Sequence, residues 1–135
     1  MSGLSDYAEN LTLNWLLNVT ASTRPTAWWV QLHMTNPTDS GTAGTQPTII
    51  TNDYDRKTLG ATGFTNAAAG TNNNLAAVTW TANAGAATYV FTHASVWDAA
   101  TAGNMLFSGA LAAPETVAPS GVITFAIGKL IATLG

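Results

Sequence analysis

A regular two-residue alternation constrains this chain more than any other feature. From Tyr89 to Trp97 the sequence reads YVFTHASVW. Tyr89, Phe91, His93, Ser95 and Trp97 occupy one set of alternate positions, and Val90, Thr92, Ala94 and Val96 the other. Successive side chains of an extended backbone point to opposite faces, so this pattern predicts a strand. Residues 98 to 104, DAATAGN, are turn formers in which Gly103 is free to take a positive backbone angle, and MLFSGAL then returns as a second strand. Residues 92 to 111 therefore predict a β-hairpin.

The same period recurs upstream. AWWVQLHM places Val30, Leu32 and Met34 on one face and Trp29, Gln31 and His33 on the other, which predicts a half-buried strand. Shorter strands are expected around PTIITN (47 to 52), YDRKTLG (54 to 60) and LAAVTW (75 to 80). The closing VITFAIGKLIATLG predicts one bent strand or two, broken near Gly128 and Lys129. TNPTDSGTAGTQP (35 to 47) and APETVAPSG (113 to 121) are rich in turn residues and read as loops. The Ala- and Asn-rich stretch before LAAVTW reads as irregular chain.

Only the start of the chain has helical spacing. In LSDYAENLTLNWLLN, Ser5 or Asp6 can cap the first turn, with Glu9 three residues after Asp6 as a capping-box partner. Ala8, Leu11 and Trp15 share a helix face that Leu13, Leu16 and Leu17 widen, so the helix should dock, on its own sheet or on a neighbour. It ends at Asn18. One helix followed by seven to nine strands predicts a mainly β fold: a single-domain antiparallel β-sandwich, jelly-roll-like, over residues 1 to 135, with helix and linker in 1 to 23 and the sandwich in 24 to 135. A chain of 135 residues can bury about two thirds of its unfolded surface, enough for a core of its own.

Composition removes several functions. Four cations, Arg24, Arg56, Lys57 and Lys129, stand against seven acidic residues, and only Arg56 and Lys57 are adjacent. Binding nucleic acid through its phosphates needs clustered cations, so no nucleic-acid partner is expected. No cysteine is present for a disulfide or a thiolate metal site. No apolar run reaches the length of a membrane span, and the first residues lack a basic segment followed by an apolar one, so neither anchor nor signal peptide is expected.

Reactive groups are sparse. His33 and His93 lie in separate strands without the neighbouring ligands that a metal site needs. His93, Ser95 and Asp98 contain the residue types of a catalytic triad, but His93 and Ser95 are two apart on one strand face, and no glycine-rich nucleophile turn surrounds the serine. No catalytic residue, cofactor or metal is expected, and the chain does not read as an enzyme. In NDYDRK, residues 52 to 57, Asn52, Asp53 and Asp55 alternate as calcium ligands can, yet the loop glycine and the later glutamate of such loops are missing. The segment reads instead as a charged strand edge, with Arg56 able to reach a partner. Trp28 and Trp29 are adjacent and should face opposite sides, one into the core and one toward the helix, solvent or another chain.

LSDYAENLTLNWLLN, VQLHMTNPTDSGT, YDRKTL, THASVWDAATAGNMLFSGAL and ITFAIGKLIATLG together resemble a family of small tailed-bacteriophage virion proteins, labelled phage tail fibre or head decoration protein. The resemblance implies a compact β-sandwich that assembles on the virion without enzymatic activity. It implies first a capsid decoration or cement protein on the outer shell, bound to the major capsid protein and self-associating as a homotrimer. The alternative is a tail-fibre or tailspike component that binds host-surface glycan, with exposed tryptophan near Trp80 or Trp97. Interface contacts are expected at Leu11, Trp15 and Leu16 in the helix and at Trp28, Trp29 and Arg56.

Overall fold

A computed structural model describes residues 3 to 18, 21 to 50 and 53 to 134. The chain begins with a two-residue strand, β1 (Gly3–Leu4), and one helix, α1 (Asp6–Leu17). Eight strands follow among the described residues: β2 (Trp28–His33), β3 (Lys57–Gly60), β4 (Thr71–Asn73), β5 (Val78–Thr81), β6 (Tyr89–Trp97), β7 (Met105–Val117), β8 (Val122–Phe125) and β9 (Ile131–Thr133). A five-stranded sheet in the order β1-β7-β6-β2-β3 and two ladders, β4-β9 and β5-β8, are antiparallel throughout. The fold is mainly β with one N-terminal helix, consistent with a single-domain β-sandwich.

The five-stranded sheet and the β5-β8 ladder share one core. Val30 and Leu32 of β2, Val96 of β6, Leu106 of β7, Val78 and Trp80 of β5 and Ile123 of β8 form a single buried cluster, joined by Tyr54, Leu59 and Phe91. Trp80 is wholly buried and meets Phe125 edge-on at 5.7 Å. Its indole N–H would be costly to bury unpaired, and it donates to the Asp55 carbonyl at 2.8 Å.

The hairpin forms where the alternation places it, and its turn is closed by side chains. Asp98 accepts from the Asn104 amide at 2.7 Å and from Asn104 Nδ2 at 2.9 Å. Gly103 has φ +69°, and a Cβ there would lie 2.4 Å from Asp98 Oδ1, so the turn excludes any larger residue.

Three local expectations are corrected. Strand β7 runs through Val117, into a segment that reads as loop. Phe91 pairs with Glu115 while His93 pairs with Ala110, so a two-residue step on β6 answers a five-residue step on β7. Pro114 lies in the skipped stretch, where its missing N–H costs no ladder bond. This irregularity also lets Phe91 and Val96, which strict alternation assigns to opposite faces, enter the same cluster. Residues 47 to 50 form no strand, and Thr51 and Asn52 lie outside the described residues.

Strand β2 is buried on both faces, not one: Gln31 and His33 are as inaccessible as Val30 and Leu32. The reason lies in the loop of residues 35 to 47, which folds back over the second face. Met34 N–H donates to the Thr45 carbonyl, and Gly41 sits so close to Trp97 and Met105 that an added Cβ would be 3.4 Å from one and 3.0 Å from the other.

Candidate interaction site

On that second face the register of β2 with β6 sets Trp29 opposite Trp97, Gln31 opposite Ser95 and His33 opposite His93. Polar groups that are far apart in sequence therefore meet. Trp97 Nε1 donates to Ser95 Oγ at 2.7 Å, and Ser95 Oγ lies 2.7 Å from His33 Nε2. Arg56 stacks its guanidinium 3.6 Å from the Trp97 ring centroid. Its Nε donates to Gln31 Oε1 at 2.9 Å, and Nη1 donates to the carbonyls of Ala99 and Ala102 at 2.9 and 2.7 Å. Arg56 thus ties β2 to the 98 to 104 turn, and burial lowers its pKa to about 10, with Asp98 opposing.

The serine and histidine that meet are Ser95 and His33, a pair invisible in local sequence. Both are fully buried, and His33 Nδ1 has no partner. Burial first, then the positive charge of Arg56 and the nearness of His93, holds the His33 imidazole down at a pKa of about 4. A nucleophile and base need access to substrate and an orienting group behind the base, and this pair has neither. His93 turns away and bonds Thr92 Oγ1 through Nδ1 at 2.8 Å, while Asp98 serves the turn. Asp53 is also internal: Oδ1 accepts the amides of Ile50 and Tyr54, and Oδ2 that of Asn83.

The apolar surface lies elsewhere. Ser5 caps α1 by accepting from the Ala8 amide at 3.2 Å and donating to the Met105 carbonyl, so the first turn is pinned to β7. The Ser5 cap excludes the Asp6–Glu9 arrangement, because the residue three positions past the cap is Ala8. From there the helix leaves the sheet. Ala8 is its one buried residue, whereas Leu13, Trp15, Leu16 and Leu17 are 54, 70, 61 and 81% exposed. Leu11 is half-buried and, with Thr12 and Trp15, forms one wall of a shallow groove completed by Ser22 and Arg24. Trp28 and Trp29 are both half-buried, Trp28 against the main core and Trp29 on the second face.

A family model described as Podophage GP4 fiber I protein gp80 matches residues 3–133. The chain belongs to this family. No curated protein matches it at a significant level. The family name marks the chain as a structural component of a phage virion, in keeping with a fold whose polar groups serve internal contacts. The family's fibre role suggests a non-enzymatic protein.

Proposed function

We propose that this chain is a building block of a phage fibre, fixed in the virion by the outer half of α1. The exposed run Leu13, Trp15, Leu16 and Leu17 carries the reading. Fully burying such side chains is worth about 1.5–3 kcal/mol each, so a helix that leaves four of them in water suits a chain that completes its fold in an assembly. The absence of basic residues in the last turn leaves this end uncharged and fit for the middle of an interface, where charges are depleted. The word fibre in the family description favours this placement over capsid decoration, in which the same helix would grip the major capsid protein.

The host-glycan reading loses its expected anchors, since Trp80 and Trp97 are 0 and 8% exposed and both indoles bond internally. The test is a phage carrying Leu16→Asp together with Leu17→Ser. The isolated variant should unfold at the wild-type midpoint, because neither side chain is in the core, while virions should lack the protein. Wild-type incorporation would refute the docking role. A cryo-electron microscopy map of the particle then separates fibre from capsid surface: density on the shell would overturn the fibre assignment.

A further inference from the structure

The loop of residues 35 to 47 lies over the second face as a cover. Its Pro37 is wholly buried, and Gly41 rests against Trp97 and Met105. Its backbone is tied down where the Thr45 carbonyl accepts the Met34 N–H at 2.9 Å and the Asp39 carbonyl accepts the Asp6 N–H, at the base of α1, at 3.1 Å. Closure is not free of strain, since Thr38 holds φ +60°, a left-handed conformation unfavourable for a β-branched residue. Beneath the cover His33 is wholly enclosed. Its Nε2 faces Ser95 Oγ, which already accepts the Trp97 indole N–H, and its Nδ1 has no partner. A protonated imidazole donates through both nitrogens, so Nδ1 would carry a buried N–H with nothing to accept it.

The surrounding charges add to that cost. His93 stands directly opposite on β6 and Arg56 reaches in from the segment before β3, and both act against a positive charge on His33. Lys57 of β3 is opposite Val30, and β7 sets Ala110 against His93, with Glu115 beyond the register skip, opposite Phe91. Asp98 is engaged by Asn104 and acts on Arg56, while Asp39, the one charged residue of the loop, turns to β1, its Oδ1 3.7 Å from where a Cβ on Gly3 would stand. We propose that the 35 to 47 loop is an acid-released cover: His33 can hold a proton only when the loop lifts and lets water reach the ring. Enclosed, the ring has a pKa of about 4; uncovered, it returns toward the ordinary value near 6.5, so the closed state loses ground as pH falls between the two. Lifting bares Trp97 and Met105 and frees the Asp6 amide. The device is separate from the docking role of α1.

The chain has no cysteine, so Met105→Cys, under the loop, and Val78→Cys, in the main core, each supply a single buried thiol. Both full-length variants are labelled with dithiodipyridine, which reacts in acid, and each rate is divided by that of the same variant unfolded in urea at the same pH. Between pH 7 and 4.5 the Met105→Cys thiol should gain at least about tenfold in rate, reach at least about ten times the rate of the Val78→Cys thiol, and lose the gain when His33→Gln is added. No gain, or the same gain with His33→Gln, overturns the proposal. Equal rates for the two thiols at pH 4.5 also overturn it, since the whole fold would then be opening. If His33→Gln does not fold, NMR of the imidazole nitrogens in the Met105→Cys chain decides instead: His33 should take up its proton over the range in which labelling accelerates, and a ring still neutral where the thiol has become reactive overturns the proposal. Every one of these failures leaves the fibre assignment intact.

Discussion

Replacing Asn74 with alanine tests how the small ladders are held to the rest of the fold. Asn74 is fully buried and bridges two distant segments with its side chain: Nδ2 donates to the Ala76 carbonyl at 2.7 Å and to the Ala126 carbonyl at 3.0 Å, and Oδ1 accepts the Leu130 amide at 2.8 Å. The backbone bonds between Asn74 and Leu130 and between Gly128 and Asn74 survive the substitution. What changes is that the Leu130 N–H, beside a buried side chain, loses its acceptor, at a cost of about 1–3 kcal/mol. Ala126 is exposed and its carbonyl can turn to water, so the two lost donations add about 0.5–1 kcal/mol each. The expected loss is about 3 kcal/mol, or roughly 10 °C in Tm for a domain of this size. Urea unfolding followed by tryptophan fluorescence, at fixed protein concentration because self-association raises apparent stability, measures it directly. Asn66→Ala, on an exposed residue, is the control and should stay within about 0.5 kcal/mol of wild type. A loss under about 1 kcal/mol for Asn74→Ala, with an unchanged urea slope, would refute the idea that this one amide anchors the turn before β9.

Two further substitutions probe the second face. Arg56→Lys keeps the charge but loses the planar fork and the stacking on Trp97, and should cost about 1–3 kcal/mol in urea unfolding without altering sedimentation; unaltered stability with altered self-association would show that Arg56 works between chains. His33 is expected to make the fold acid-sensitive. Its pKa is lowered in the folded state, so between about pH 6.5 and 4 the unfolded chain binds the extra proton, and stability falls as pH falls through that window by up to about 3 kcal/mol. Comparing urea midpoints at pH 7 and 4.5 for wild type and His33→Gln isolates that share from the carboxylates; equal slopes in the two proteins would remove His33 as the cause.

The β6–β7 hairpin was legible because its information is local. Alternation from Tyr89 to Trp97, turn formers from Asp98 to Asn104 and a glycine at the positive angle act within one short stretch of chain. The helix was legible for the same reason, although the choice of Ser5 over Asp6 as cap depended on the Met105 carbonyl, a hundred residues away. The far half of β7 was not legible, since Pro114 signals a break, and only the register skip against β6 makes that proline harmless. The candidate surfaces divide in the same way. Trp15 and Leu16 can be picked out from helical spacing, but that their face is left uncovered follows from the way α1 departs from the sheet after its first turn. The buried Ser95–His33 contact joins segments 62 residues apart and has no signature in either of them.

By itself, then, the sequence determined the mainly β class, the helix at the start, the central hairpin and the scarcity of usable charge, because each arises from periodicity or residue type over a few neighbouring positions. The tertiary structure alone decided which serine meets which histidine, that Arg56 grips Trp97 and the turn beyond it, that β2 is buried on both faces, and that the end of α1 stays in water. Those outcomes depend on strand register and on a returning loop, and a register is a property of two segments at once.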